Sequence, residues 1–137
     1  MIPFEELCGE IIDMVSKYKD TCGIMSKKEV QEYRDILSSL AVTLAVYGAD
    51  FYEDAIGAEV TRKIKEAKEI ERIISSGEVK SQGRAEVQAK INCEEQYGNE
   101  VRSNYLNTKA KFLREQINQV LHSMSSRLGT FDKEKTQ

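Results

Sequence analysis

Apolar residues recur at three- and four-residue spacing along almost the whole chain, the pattern of amphipathic helix rather than strand. Phe4, Leu7, Ile11, Met14/Val15 and Tyr18 mark a first helix of about four to five turns. Pro3 stands at its first turn, where a missing N–H loses no helical bond, and Gly23 in "KDTCGIMS" predicts its stop. Ser26 and Glu29 then form the S-x-x-E of a capping box, so a second helix is expected to start there. Its apolar track runs Val30, Tyr33, Leu37, Leu40, Leu44, Tyr47, Phe51, Ala55 and Ala58. Ile56, Val60, Ile64, Ala67, Ile70 and Ile74 continue it on a neighbouring stripe. No proline interrupts this run, which predicts one helix of about fifty residues, roughly 70 Å long. Gly48 and Gly57 each cost about 1 kcal/mol in a helix interior, which makes residues 48–57 the place for a kink.

"SSGEVKSQG" breaks the pattern. Gly77 predicts a helix stop and Ser81 a cap for the next helix. From Ala85 the track resumes through Ala89, Cys93, Tyr97, Val101, Tyr105, Phe112, Ile117, Val120/Leu121, Met124 and Leu128. That is a third helix, expected to end at Gly129 ahead of a frayed polar tail, "TFDKEKTQ". The break could be a hairpin turn or a ligand-holding loop. It does not match G-x-x-x-x-G-K-[ST], and no strand precedes it, so the hairpin reading is favoured over a phosphate loop.

The expected fold is therefore all-α: an elongated, coiled-coil-like antiparallel helical hairpin with an N-terminal helix packed on its base. Residues 1–25 form that first helix, residues 26–129 the hairpin with its turn near 75–83, and residues 130–137 the tail, in a single domain. Residues 30–51 and 105–128 are rich in large apolar side chains and form the base with the first helix. Residues 60–100 form a two-helix arm with a thin seam of Ile, Val, Ala and Cys. Such an arm buries little apolar area against the entropy of ordering it, so a homodimer or higher oligomer, or a protein partner, is expected to support it.

Composition sharpens this picture. The 137 residues are 40% hydrophobic and 31% charged, and no apolar run approaches the ~20 residues of a membrane span. The first residues, "MIPFEELCGEII", carry acids where a signal peptide needs bases, so a cytoplasmic protein without membrane contact is expected. Cys8, Cys22 and Cys93 are odd in number and widely spaced, with His122 the sole histidine. Reduced thiols are expected, with no metal site and no cofactor. Net charge is −3, but unevenly placed: residues 1–61 carry 12 acids and 5 bases, net −7, and residues 62–137 carry 11 acids and 15 bases, net +4. Such asymmetry points to head-to-tail self-pairing or to two faces with different partners.

Asp50, Glu53 and Asp54 fall at i, i+3 and i+4. With Glu59 they form an acidic segment without a nearby base, the candidate surface for a basic protein partner. Lys65, Lys68, Arg72 and Arg84 populate the arm and its turn and are the candidates for phosphate contact with nucleic acid. Glutamates are interleaved with these bases at three- and four-residue spacing, which intrahelical ion pairing explains equally. No catalytic residue is expected: His122 lacks an orienting neighbour, and Ser123, Ser125 and Ser126 lack a nucleophile context.

Two resemblances attach to these motifs. "EVQE" from Glu29 and "DFYE" from Asp50 resemble the paired acidic motifs of the all-α NTP pyrophosphohydrolases of the MazG type, with the second motif reversed. That likeness implies a Mg²⁺-dependent enzyme holding metal through Glu29, Glu32, Asp50 and Glu53, and it requires the long helix to break near Gly48. "GRAEVQAKINCEEQYGNEVRSNYLNTKAKFLREQINQVLHSMSSRL" is similar in texture to the second half of small helical-hairpin proteins of bacteriophages, a likeness extending over residues 28–128. It implies a phage or mobile-element accessory protein acting near replication, recombination or host defence, and it carries over no catalytic residue. The expected function is thus non-enzymatic binding of a macromolecule. One version is an anti-CRISPR-like inhibitor of a host defence nuclease, and another is a nucleic-acid-binding recombination or replication accessory.

Overall fold

The computed structural model describes residues 1–136. It contains α1 (Phe4–Thr21), α2 (Lys27–Ser76), α3 (Gln82–Asn92) and α4 (Glu94–Thr136), with no strand among the described residues. The chain is all-α, with α2 turning back on α3 and α4 in an antiparallel hairpin. Local chemistry sets several of these boundaries. At the start of α2 the capping box closes in both directions: the Glu29 N–H donates to Ser26 Oγ (3.2 Å) and the Ser26 N–H to Glu29 Oε1 (3.3 Å). Gly77 ends α2 with φ +74°, a left-handed conformation that other residues adopt only under strain. Ser81 caps α3 by accepting from the Arg84 N–H at 3.2 Å.

Two compact units divide the chain, Met1–Ala49 with Lys109–Gln137 and Asp50–Thr108. The first is a three-helix arrangement. Leu7, Ile11, Val15 and Tyr18 of α1 are buried together with Val30, Leu37 and Leu44 of α2 and Leu113, Ile117, Val120, Met124 and Leu128 of α4. Polar contacts fasten α1 at both ends: Tyr47 Oη donates to the Ile2 carbonyl (2.5 Å), and Tyr18 Oη shares a hydrogen bond with Ser123 Oγ (2.8 Å). Phe4 lies against the Tyr47 ring at 5.4 Å.

The second unit is a two-helix hairpin. At its closed end Ile73, Ala85 and Ala89 are fully buried, with Ile70 and Val79 packed around them. The buried residues that the returning helix contributes there are alanines, so the apolar seam at this end is thin. Cys8 and Cys93 are buried free thiols, and burial pushes both above the ordinary thiol pKa.

The second helix is the single helix of about fifty residues that its apolar track predicts, continuous through Gly48 and Gly57, and a Cβ at Gly48 would meet only the Ala110 Cβ at 4.0 Å. Two sequence expectations need correction. The third helix is two, because Cys93 adopts φ −103° and ψ 21° and its N–H is shared between the Ala89 and Lys90 carbonyls. This one-residue irregularity separates α3 from α4, and Cys93 itself is fully buried. The tail is helical to Thr136 rather than frayed. Lys27 Nζ holds Asp132 at 2.7 Å, and the Arg127 guanidinium lies 5.1 Å over the Phe131 ring. Gln137, the last residue of the expected tail, lies outside the described residues.

Candidate functional site

The second unit carries the acidic and basic residues that the sequence singles out for binding a protein or nucleic acid, while Glu29 and Glu32 lie in the first unit. Its centre is an ionic knot in which α2 meets α4. Arg62 donates from Nε to Glu100 Oε2 at 2.7 Å, from Nη2 to Glu100 Oε1 at 3.4 Å, and from Nη1 to Glu66 Oε2 at 3.2 Å. Tyr97 Oη donates to the same Glu66 oxygen at 2.7 Å, and the Arg62 guanidinium lies 5.0 Å over the Tyr97 ring. Glu66 is only 9% exposed. Its carboxyl is held below the usual carboxylate range, first by the Tyr97 hydroxyl and then by Arg62. The Tyr97 phenol is pushed up by its bond to Glu66. Glu100 first, and then Glu66, keep the Arg62 guanidinium firmly protonated. Sequence spacing showed Arg62 and Glu66 as an i,i+4 pair, but Glu100 and Tyr97 enter only through tertiary structure.

A second linkage ties the closed end. Arg72 bonds Glu69 at 2.7 Å and Glu78 at 3.2 Å, and Asn92 Nδ2 donates to the same Glu69 oxygen at 2.8 Å. Arg72 first, and then Asn92, hold the Glu69 carboxyl below its usual range. Arg72, one of the four nucleic-acid candidates, is thus engaged within the protein. Lys65, Lys68 and Arg84 are exposed. Lys65, Lys68 and Arg72 share a flank of α2 at i, i+3 and i+7, while Arg84 stands in the first turn of α3.

The acidic candidates divide. Asp50, Glu53 and Asp54 are exposed on α2, and among the described residues no cation forms an ion pair with any of the three. Positions 35–61 contain no Lys, Arg or His, so no base stands within two turns of them on either side along the helix. Glu59 behaves differently. It pairs with Lys63 at 2.8 Å, which lowers its carboxyl pKa. At about 100° per residue it also sits about 140° round the helix from Asp54 and about 180° from Asp50. The acidic surface therefore comprises Asp50, Glu53 and Asp54, and Glu59 does not share it.

The MazG-like arrangement needed a broken helix, and α2 is unbroken across Gly48. Among the described residues no three His, Cys, Asp or Glu side chains converge in a way that could hold a metal ion. His122 is exposed. In the first unit an open groove of about 360 Å³ runs between α1 and α4, lined by Ile11, Ile12, Val15, Phe112 and Leu113. Lys19 donates across it to Gln116 at 3.2 Å. No described helix is long and apolar enough to cross a membrane.

Sequence reasoning missed one surface feature. Tyr52, Ile56, Val60 and Ile64 of α2 and Val101 and Tyr105 of α4 are 45–67% exposed, although several fall on the apolar tracks read as buried stripes. The i, i+4 spacing of the α2 residues was visible. That the helix faces its neighbour with Arg62 and Glu66, leaving this stripe outside, was not. Comparison with known proteins gave no match: no family model fits the chain, and no curated protein and no solved structure is significantly similar to it.

Proposed function

We propose that this protein is a non-enzymatic accessory protein that docks on a basic site of another protein through Asp50, Glu53 and Asp54. The observation that carries the reading is an asymmetry of charge satisfaction in the second unit. The arm's two arginines on α2 are taken up by Glu66, Glu100, Glu69 and Glu78, whereas the three acids project from α2 without ion-pair partners. Three like charges within five residues repel one another in the free protein, and a cationic partner relieves that repulsion and is steered toward it. The phage-type likeness adds a concrete version. An acidic helix can occupy the nucleic-acid channel of a host defence nuclease, whose basic side chains are built to meet spaced negative charges.

Nucleic-acid binding by the arm is the second reading, favoured by the exposed Lys65, Lys68 and Arg84. It is weakened because Arg72 is already paired and because glutamates stand between the lysines. Mobility shifts with single- and double-stranded DNA at two salt concentrations separate the readings. The expected result is no sub-micromolar complex at either salt. A tight complex that weakens steeply with salt, and is lost in Lys65→Ala/Lys68→Ala/Arg84→Ala, would assign function to the arm instead, because counterion release makes phosphate binding salt-dependent.

A further inference from the structure

α3 turns its small residues inward and its large ones outward. Its buried residues are Ala85 and Ala89, which pack with Ile73 of α2, while its Val87 and Ile91 are 61% and 60% exposed. Docking therefore removes less apolar surface from water than the reverse orientation would, and the free energy gained follows that area. With 11 residues, α3 is also shorter than the ~12–15 at which an isolated helix is even marginally stable. The bond from Asn92 Nδ2 to Glu69 Oε1 (2.8 Å) ties its last turn to α2, but it lies at the surface, where water competes for both groups.

α4, by contrast, is complete without α3. Cys93 between the two helices has φ −103° and ψ 21°, outside the α-helical region. Its carbonyl accepts from the Tyr97 N–H at 3.1 Å, which starts α4 on a bond of its own, and Glu94 and Glu95 meet the positive end of the α4 dipole. Beyond them Tyr97 and Glu100 belong to the ionic knot that holds α4 to Glu66 and Arg62 of α2. Weak docking on one side of Cys93 thus meets firm docking on the other. We infer that α3 is a strap that opens about Cys93, together with the turn at residues 77–81, while α4 and the ionic knot stay closed. Once detached, so short a helix melts, so the open strap is a locally unfolded segment. Opening uncovers Ile73 and releases the turn of α3 that helps to enclose the Cys93 thiol, both residues being 0% exposed when the strap is closed. Asp50, Glu53 and Asp54 lie outside the moving segment, so the inference stands apart from the acidic-surface reading.

The rate at which Cys93 reacts with iodoacetamide in the folded full chain tests this, followed cysteine by cysteine by mass spectrometry at low urea concentrations. Opening one short helix exposes little surface, so the Cys93 rate should rise with urea far less steeply than the global unfolding equilibrium read by circular dichroism. Gly83, in the first turn of α3, has open space where a Cβ would stand. Gly83→Ala should therefore favour the closed strap and slow Cys93 about two- to fivefold, as Gly-to-Ala changes at compatible helical positions do. Gly83 lies about three turns from Cys93, so it reaches the thiol only if α3 opens as a unit. In α4 a Cβ at Gly98 would meet Arg102 Nη1 at an ordinary 3.7 Å. Gly98→Ala should leave the Cys93 rate as it was, because α4 stays folded in the open state. A Cys93 rate that follows global unfolding in urea, that Gly83→Ala fails to slow, or that Gly98→Ala slows equally would overturn the inference.

Discussion

Leu37→Ala should cost the protein about 2–5 kcal/mol of stability, the range for emptying a fully buried leucine site. Leu37 is 0% exposed and lies on the face of α2 that the first unit buries, in line with Val30 and Leu44. The loss has two parts: the transfer free energy of the removed atoms, and the cavity left because α1 and α4 cannot close in fully. Fastening of α1 by Tyr47 to Ile2 and by Tyr18 to Ser123 limits that relaxation, so the upper part of the range is expected. Val42→Ala, on the exposed side of the same helix, should stay within about 0.5 kcal/mol. Urea denaturation followed by circular dichroism measures both. Equal losses at the two positions would mean that the burial pattern of α2 is wrong.

The second large effect belongs to the ionic knot. Removing Arg62 as Arg62→Met leaves Glu66 and Glu100 facing each other without their shared cation, inside a site that limits access of water. Breaking one side of a partly buried pair is far more damaging than never having made it. The wild type and the variant should also differ in how they respond to acid. In the wild type the folded-state pKa of Glu66 is depressed. Its contribution is therefore fully present above the unfolded value of about 4.3 and is lost as pH falls through the folded value. In Arg62→Met the Tyr97 hydroxyl still holds the carboxyl down, but the guanidinium's share is gone and Glu100 stands nearby. The loss of stability as pH falls below about 4.3 should therefore be smaller in the variant than in the wild type. Arg62→Met/Glu66→Gln should recover stability at neutral pH. Equal urea midpoints for wild type and Arg62→Met at neutral pH would show that the knot is solvated and dispensable.

Much of the fold was legible because its boundaries are written in local chemistry. Ser26 with Glu29, Gly77 and Ser81 each act on backbone groups within three residues, and each does so in the folded chain. What was not legible depends on distant partners. The helical end of the chain relies on Lys27 meeting Asp132, 105 residues away. The irregularity at Cys93 follows the buried Ala85 and Ala89 that pack with Ile73, and no turn residue announces it. Arg62 looked like one member of a surface i,i+4 pair, because Glu100 and Tyr97 are invisible to spacing. The displacement of Glu59 from the acidic surface, by contrast, follows from the helical period alone. Grouping acids by proximity in sequence concealed it. The exposed stripe on α2 was read as part of the core because an apolar period says that a face is buried, and does not say whether the same chain buries it.

The central claim is that Asp50, Glu53 and Asp54 recruit a basic protein. It is tested most directly by capture from lysate of the native host, treated with nuclease, on immobilised wild type and on Asp50→Lys/Glu53→Lys/Asp54→Lys side by side. The expected result is at least one protein with a basic surface retained by the wild type and lost by the variant, with the variant's helicity intact and retention weakened by salt. The same set of proteins on both columns would contradict the claim.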